Sequence, residues 1–382
     1  MRKYEIDQLR VYAFLILILY HAGLVFVPWE FHMHNNETGE LFLMPMFFSH
    51  QWRIGLLFVI SGIGTYFSMS RRSSIGYAQE RFIRLFIPFI FGTLILVLPQ
   101  VYLRRLTEGV EYSSYLDFYI NDAFTKGFYY EGGNFGWHHL WFILYLFIFS
   151  MILIILKKPL ELLSIYIKKL ISSWKGWGIT LFICVCIPVF LFEYFLRPIF
   201  PETRGLKNDW FIFSEYLWVF LCGYLIARNI DDIWPLLKKS KYFTLIVGII
   251  AYLIYGHYCV MGDEYIMVNA ISRTLTLWCI IFSIFGFAIQ YLNKNKKWLS
   301  YANEAVYPFY ILHQTVIIAI TFYIRDLDYS IFTKFMIIVF GTGLICWSLY
   351  HFVIRKINVL RFLFGMKLIP AKSRITSPTT EL

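Results

Sequence analysis

The chain has 382 residues, of which 59% are apolar and only 15% charged, with a mean hydropathy of +0.60. A soluble domain is about half apolar and about a quarter charged, so this composition excludes an ordinary soluble fold and points to lipid as the solvent. The net charge of +11 does not mark a nucleic-acid binder, because the basic residues lie in short segments between apolar runs rather than on one polar domain.

Apolar runs long enough to cross about 30 Å of hydrocarbon recur along the chain. They predict helices near 9–27, 51–69, 83–103, 139–156, 178–196, 212–228, 242–259, 271–292, 305–323 and 333–353. The expected fold is an all-α integral membrane bundle of about ten transmembrane helices. The high content of Phe, Tyr and Trp suits this setting: Phe dissolves in hydrocarbon, while Tyr and Trp favour its boundary.

The first predicted helix follows a basic start, Met1-Arg2-Lys3, and carries Asp7, Arg10 and His21. It is long and no small-x-small cleavage site follows, so it is read as retained rather than as a cleaved signal. Arg10 and His21 are eleven residues apart, which brings them within about 20° of one face and about 17 Å apart along the axis. Asp7 falls within about 60° of both. An ionisable group in a span is costly in hydrocarbon and is a functional candidate by default. His21, with an ordinary pKa near neutrality, is a natural general base; the competing reading is a core histidine bonded to a carbonyl.

The second helix carries Ser61-Gly62-Ile63-Gly64. Small residues there allow close helix packing, or leave room and a hydroxyl beside a ligand. Arg81 and Arg84 open the third helix, just after Arg71-Arg72. Two arginines at i and i+3 make a phosphate grip or a plain cytoplasmic anchor.

Two long loops, about 29–50 and 104–138, would lie on one side; the second includes Glu131-Gly132-Gly133-Asn134-Phe135-Gly136-Trp137-His138-His139. Such loops cap a cavity or are tolerated surface. The fifth predicted helix contains Pro188 and Glu193. The six cysteines lie in or beside apolar runs and read as small buried hydrophobes, with no disulfide framework and no metal spacing. Most lysines and arginines alternate onto one side if both termini are cytoplasmic, which is the expected orientation.

Asp7, the Arg10-x10-His21 spacing, Ser61-Gly62 and Arg81-x-x-Arg84 occur in that order. This set resembles the acyltransferase-3 family of integral membrane acyltransferases. His139-Leu140-Trp141-Phe142 looks like the HLWFL segment of its glucan succinyltransferase-like, sugar O-acyltransferase branch, and Tyr307-Pro308-Phe309-Tyr310-Ile311-Leu312-His313 is also similar to the family. Leu57 stands where the family's second helix often has the first of two Phe. The WSLxxE form of O-antigen acetyltransferases is absent and no SGNH domain follows, so an O-antigen acceptor is not expected.

The resemblance implies transfer of an acetyl or succinyl group from cytoplasmic acyl-CoA (acetyl-CoA or succinyl-CoA) to a hydroxyl of an extracytoplasmic carbohydrate or glycan. Arg10 and His21 would be the activity-defining pair, with Asp7 and Ser61 assisting. Arg81 and Arg84, with Arg71 or Arg72, would hold the CoA end, and Arg10 would share that load or orient Asp7. His139, Trp141 and His313 are acceptor-binding or structural candidates. The catalytic domain would be 1–356, followed by a basic, polar, partly disordered cytoplasmic tail at 357–382, in a multi-pass protein of the inner membrane. Self-association is compatible with the sequence. A proton-coupled transporter, or a flippase or scaffold partner of a glycan pathway, are the rival readings.

Overall fold

The computed structural model describes residues 3–125, 127–128, 132–173 and 175–370. Met1, Arg2, Glu131 and the terminal stretch 371–382 lie outside them. The described residues form helices and loops, with one isolated bridge between Phe128 and Phe135.

The long helices are α1 (Tyr4–Leu24), α2 (Leu43–Met69, with a turn at Gln51-Trp52), α3 (Ser74–Thr107), α4 (His138–Ser173), α5 (Trp177–Leu196), α6 (Trp210–Arg228), α7 (Ile230–Tyr258), α8 (Ile266–Tyr291), α9 (Leu299–Ile324) and α10 (Ile331–Lys356). Nine of them, all but α7, are long and apolar enough to cross a membrane. The predicted helix 242–259 falls on the second half of α7, where Lys241, His257 and several tyrosines dilute the apolar run.

Several helices outrun their predicted spans. α4 continues through Lys157-Lys158-Pro159 to Ser173, and α7 begins at Ile230, so segments expected as loops are helical. Hydropathy detects the lipid-crossing part of a helix, whereas hydrogen bonding carries the helix on into water. After α10 a short helix, α11 (Asn358–Leu363), turns back on the bundle. Its Arg361 reaches Glu304 of α9 at 2.7 Å, and Phe364 is buried in the core.

The centre of the bundle is set by close backbone approaches. A Cβ added at Gly62 of α2 would meet the Phe220 carbonyl of α6, and one added at Gly223 of α6 would meet the Val59 carbonyl of α2. Both clashes are with backbone, which has no rotamer to yield. The small residues of the second helix therefore serve packing. Gly62→Ala is expected to destabilise the fold by about 1–3 kcal/mol, the usual range for overpacking. A lowered Tm in detergent checks it, and a Tm equal to wild type contradicts it.

α1 packs against α2 and α9. The proximal end of the bundle is where α1 starts at Tyr4, and the distal end is where it finishes at Leu24.

Candidate active site

At the distal end a cavity of about 300 Å3 opens between α1, α2, α4, α6 and α9. Leu17, Tyr20, His21 and Leu24 present one face of α1 to it, because positions three and four apart in a helix share a face. His50, Arg53 and Leu57 do the same from α2, and His139 and Trp141 from the start of α4.

Three predicted histidines meet here. His21 Nδ1 lies 2.9 Å from the Leu17 carbonyl and 3.3 Å from His313 Nε2, while His313 Nδ1 lies 2.7 Å from the Tyr310 carbonyl. A carbonyl only accepts, so the proton of His313 sits on Nδ1 and its Nε2 carries a lone pair. The proton of His21 is then also on Nδ1, shared between the Leu17 carbonyl and His313. This leaves His21 Nε2 as an unprotonated acceptor with no partner among the described residues. His139 packs edge-on to His313, ring centroids 5.2 Å apart, with its Nε2 3.2 Å from the Ile311 carbonyl. A base whose far nitrogen is tied down by fixed groups is the arrangement that proton transfer needs.

Across the cavity stands Arg53, which sequence reasoning missed. It is 7% exposed, its guanidinium lies over the Tyr20 ring at 3.1 Å from the centroid, and Nη1 is 3.4 Å from His50 Nδ1. Its Nε has no hydrogen-bond partner, and among the described residues no carboxylate pairs with it. Next to it, Glu202 and Arg204 enter from the loop between α5 and α6. Arg204 has φ 54, a conformation unfavourable for a side chain with Cβ. The loop is held there from outside: Trp137 Nε1 donates to the Arg204 carbonyl at 2.9 Å, and the Thr203 amide donates to Asp209 at 3.1 Å. Of the Trp137-His138-His139 run, His139 lines the cavity and Trp137 holds the loop that carries Arg204.

Behind Glu202 a buried chain of charges crosses the helices. Arg273 of α8 pairs with Glu193 of α5 and with Glu215 of α6, the latter at 3.4 Å. Arg197 joins Glu193 at 2.9 Å to Glu202 at 3.4 Å. Buried pairs are costly to break singly, so this chain fixes the position of Glu202, which in turn meets Arg204 at 3.5 Å. Glu193, Glu215 and Arg273 all fall inside predicted spans. The rule that singled out His21 would have singled them out too.

The remaining candidates lie proximally. Arg10 is 3.8 Å from Asp7 and rests over Gly64 of α2. Ser61, one turn beyond Leu57 on α2, is half-buried and is not among the cavity-lining residues. Arg72, Arg81 and Arg84 converge on Glu80, at 3.9, 3.6 and 3.2 Å. Glu80 was not anticipated, and one carboxylate among three guanidiniums leaves the cluster positive. A π-helical turn at Phe82–Phe86 shifts the register between Arg81 and Arg84, yet both reach Glu80. Arg71 is exposed at the same end. Arg84 Nε also donates to the Gly365 carbonyl at 3.2 Å, and Gly365 packs on Tyr307. From there Tyr307, Tyr310 and His313 follow along α9, with ring centroids 6.5 and 5.9 Å apart, to the histidine cluster.

No group of three or more His, Cys, Asp or Glu is arranged to hold a metal ion among the described residues.

Helices built for lipid, with their ionisable groups gathered around one buried distal cavity and one proximal basic cluster, define a multi-pass membrane protein with a polar centre. The chain matches the acyltransferase domain of the acyltransferase-3 family over residues 3–351, and it belongs to that family of acyl-transferring enzymes. It is 23% identical to proteins named glucans biosynthesis protein C from Escherichia coli O1:K1, Escherichia coli K12 and Shigella dysenteriae serotype 1. Each comparison covers 99% of this chain and 98% of the relative. No solved structure matches it.

Proposed function

We propose that the protein moves an acyl group from cytoplasmic acyl-CoA to a hydroxyl of an extracytoplasmic carbohydrate, with the proximal end in the cytoplasm and both termini on that side. The observation that carries this reading is the His21 imidazole on the cavity wall, whose Nδ1 is tied to Leu17 and His313 and whose Nε2 is left to accept a proton. The name shared by the relatives, glucans biosynthesis protein C, supports a glucan-type acceptor.

The acceptor hydroxyl attacks the thioester carbonyl, and its proton passes to His21 Nε2. The C–S bond then breaks, and the CoA thiolate takes that proton back from His21. The products are an O-acyl ester and free CoA, with no other reactant needed. His313 and His139 orient His21, and Trp141 offers a ring face to the sugar. Ser61 does not line the cavity, and the transfer at His21 needs no hydroxyl from it.

Arg72, Arg81 and Arg84 hold the CoA phosphates at the proximal end, with Arg71 beside them and Arg10 paired to Asp7 further in. In this reading the pantetheine arm follows the Tyr307–Tyr310–His313 face of α9 toward His21. Of the acetyl and succinyl groups, the succinyl group is favoured by Arg53, a buried cation that a free carboxylate would neutralise.

Arg84→Ala is expected to raise the KM for acyl-CoA by about tenfold, the loss of one charge-assisted bond, while kcat stays near wild type. Steady-state kinetics with the purified protein checks this. A fall in kcat at unchanged KM would remove Arg84 from donor binding. Acyl-CoA consumption in detergent tests the reading as a whole.

A further inference from the structure

A second cavity, of about 520 Å3, adjoins the first on the distal face and shares Glu30 with it. Its walls include His32, His34, Asn36, Arg104, Thr107 and Arg325, contributed by the α1–α2 loop, the end of α3 and the end of α9.

This vestibule is preformed. Buried Lys334 donates to Asn35 Oδ1 at 3.0 Å and to the Arg325 carbonyl at 2.8 Å. Arg325 donates to Asn36 Oδ1 at 3.0 Å, and the amides of Asn35 and Gly39 bond the carbonyls of Val25 and Phe26, each at 2.9 Å. The loop that forms the wall is therefore pinned to α1 on one side and to the α9–α10 turn on the other.

Its electrostatics select the ligand class. The arginines are already matched, Arg104 to Glu108 at 3.4 Å and Arg325 to Asp326 at 3.5 Å. Burial, and then Arg104, pull the His32 pKa down to about 3, so its imidazole is neutral at physiological pH. Paired charges and neutral imidazoles offer many donors and acceptors but little net field. That suits a neutral polyhydroxyl chain better than a phosphate or a polyanion. His34 Nδ1 is buried with no hydrogen-bond partner, a vacancy of the kind that a ligand hydroxyl fills. Phe31 adds an apolar ring to the wall.

We propose that the vestibule is a remote subsite for the non-reacting sugar units of an oligosaccharide acceptor, so that the enzyme favours a chain over a single sugar. This rests on the acyltransferase reading above. Units held in the vestibule place the reacting unit in the neighbouring cavity, beside His21, and their binding is spent on orienting its hydroxyl.

The test uses the full-length protein in detergent with succinyl-CoA as donor. Methyl β-glucoside, a glucose disaccharide and a glucose hexasaccharide serve as acceptors. Wild type should show kcat/KM at least about tenfold higher for the hexasaccharide than for methyl glucoside. Thr107→Trp, which fills the vestibule, and His34→Ala, which removes a wall donor, should each bring that ratio close to one. Calorimetric binding of the hexasaccharide, without donor, should be seen in wild type and lost in Thr107→Trp. Donor consumption with no chain-length preference, or a preference that survives both substitutions, overturns the subsite and leaves the acyltransferase reading intact. A protein that consumes no donor with any acceptor overturns the acyltransferase reading. The binding isotherms then decide the subsite alone: hexasaccharide binding that Thr107→Trp abolishes supports it, and absent binding overturns it.

Discussion

His21→Ala is expected to lower acyl transfer by about 10²- to 10⁴-fold, the usual contribution of a positioned general base. The effect should fall on kcat, because the imidazole is needed when the acceptor hydroxyl loses its proton and holds no other part of either substrate. Binding of acyl-CoA at the proximal arginines should stay near wild type. His313→Ala removes the group that receives the shared Nδ1 proton of His21. It should therefore cost less than His21→Ala, since the Leu17 carbonyl still holds the tautomer. The double substitution should be far from additive, as expected for groups that act as a unit. Single-turnover rates for the three variants check this. Equal losses in His21→Ala and His313→Ala, adding in the double variant, would mean that the two rings act separately.

Arg53→Gln is expected to change which acyl group is used. Wild-type Arg53 is buried, stacked on Tyr20 and free of any carboxylate partner among the described residues. A succinyl carboxylate entering the cavity would complete the missing pair, and removing one partner of a buried pair costs about 3–5 kcal/mol. That corresponds to a loss of about 10²-fold or more in kcat/KM for succinyl-CoA. Acetyl-CoA has no charge to present, so its use should change little or improve. The ratio of the two donors in competition gives the answer without reference to protein concentration. Arg53→Lys keeps the charge but loses the planar fork, and should recover part of the succinyl preference. Wild type that uses both donors equally, or an Arg53→Gln that slows both alike, would assign Arg53 to packing.

The helices were legible because lipid imposes one rule on long stretches of chain: every crossing needs an unbroken apolar run. Their ends were less so, as α4 and α7 show, because a helix leaves the membrane without leaving its hydrogen-bond pattern. The proximal arginines and the acid, base and imidazole of α1 stood out by spacing within a single element. The companion of that imidazole did not. His313 stands 292 residues from His21, and only folding brings Nε2 to Nδ1.

Arg53 was hidden for a different reason. At the start of a predicted span it reads as a boundary charge, and its meaning comes from the carboxylate it lacks. Glu202 and Arg204 lie in a loop whose conformation is imposed by Trp137 and Asp209, contacts that leave no periodic trace. Glu193, Glu215 and Arg273 were visible as charges within apolar runs, but their pairing across three helices was not.

The most direct measurement follows labelled succinyl-CoA and a glucose oligosaccharide with the purified protein in detergent, wild type beside His21→Ala. The expected result is O-succinyl ester and free CoA formed in equal amounts by wild type, with ester formation abolished in a His21→Ala protein of unchanged Tm. A folded wild type that neither binds nor consumes acyl-CoA, or a His21→Ala protein that forms ester at the wild-type rate, would contradict the account.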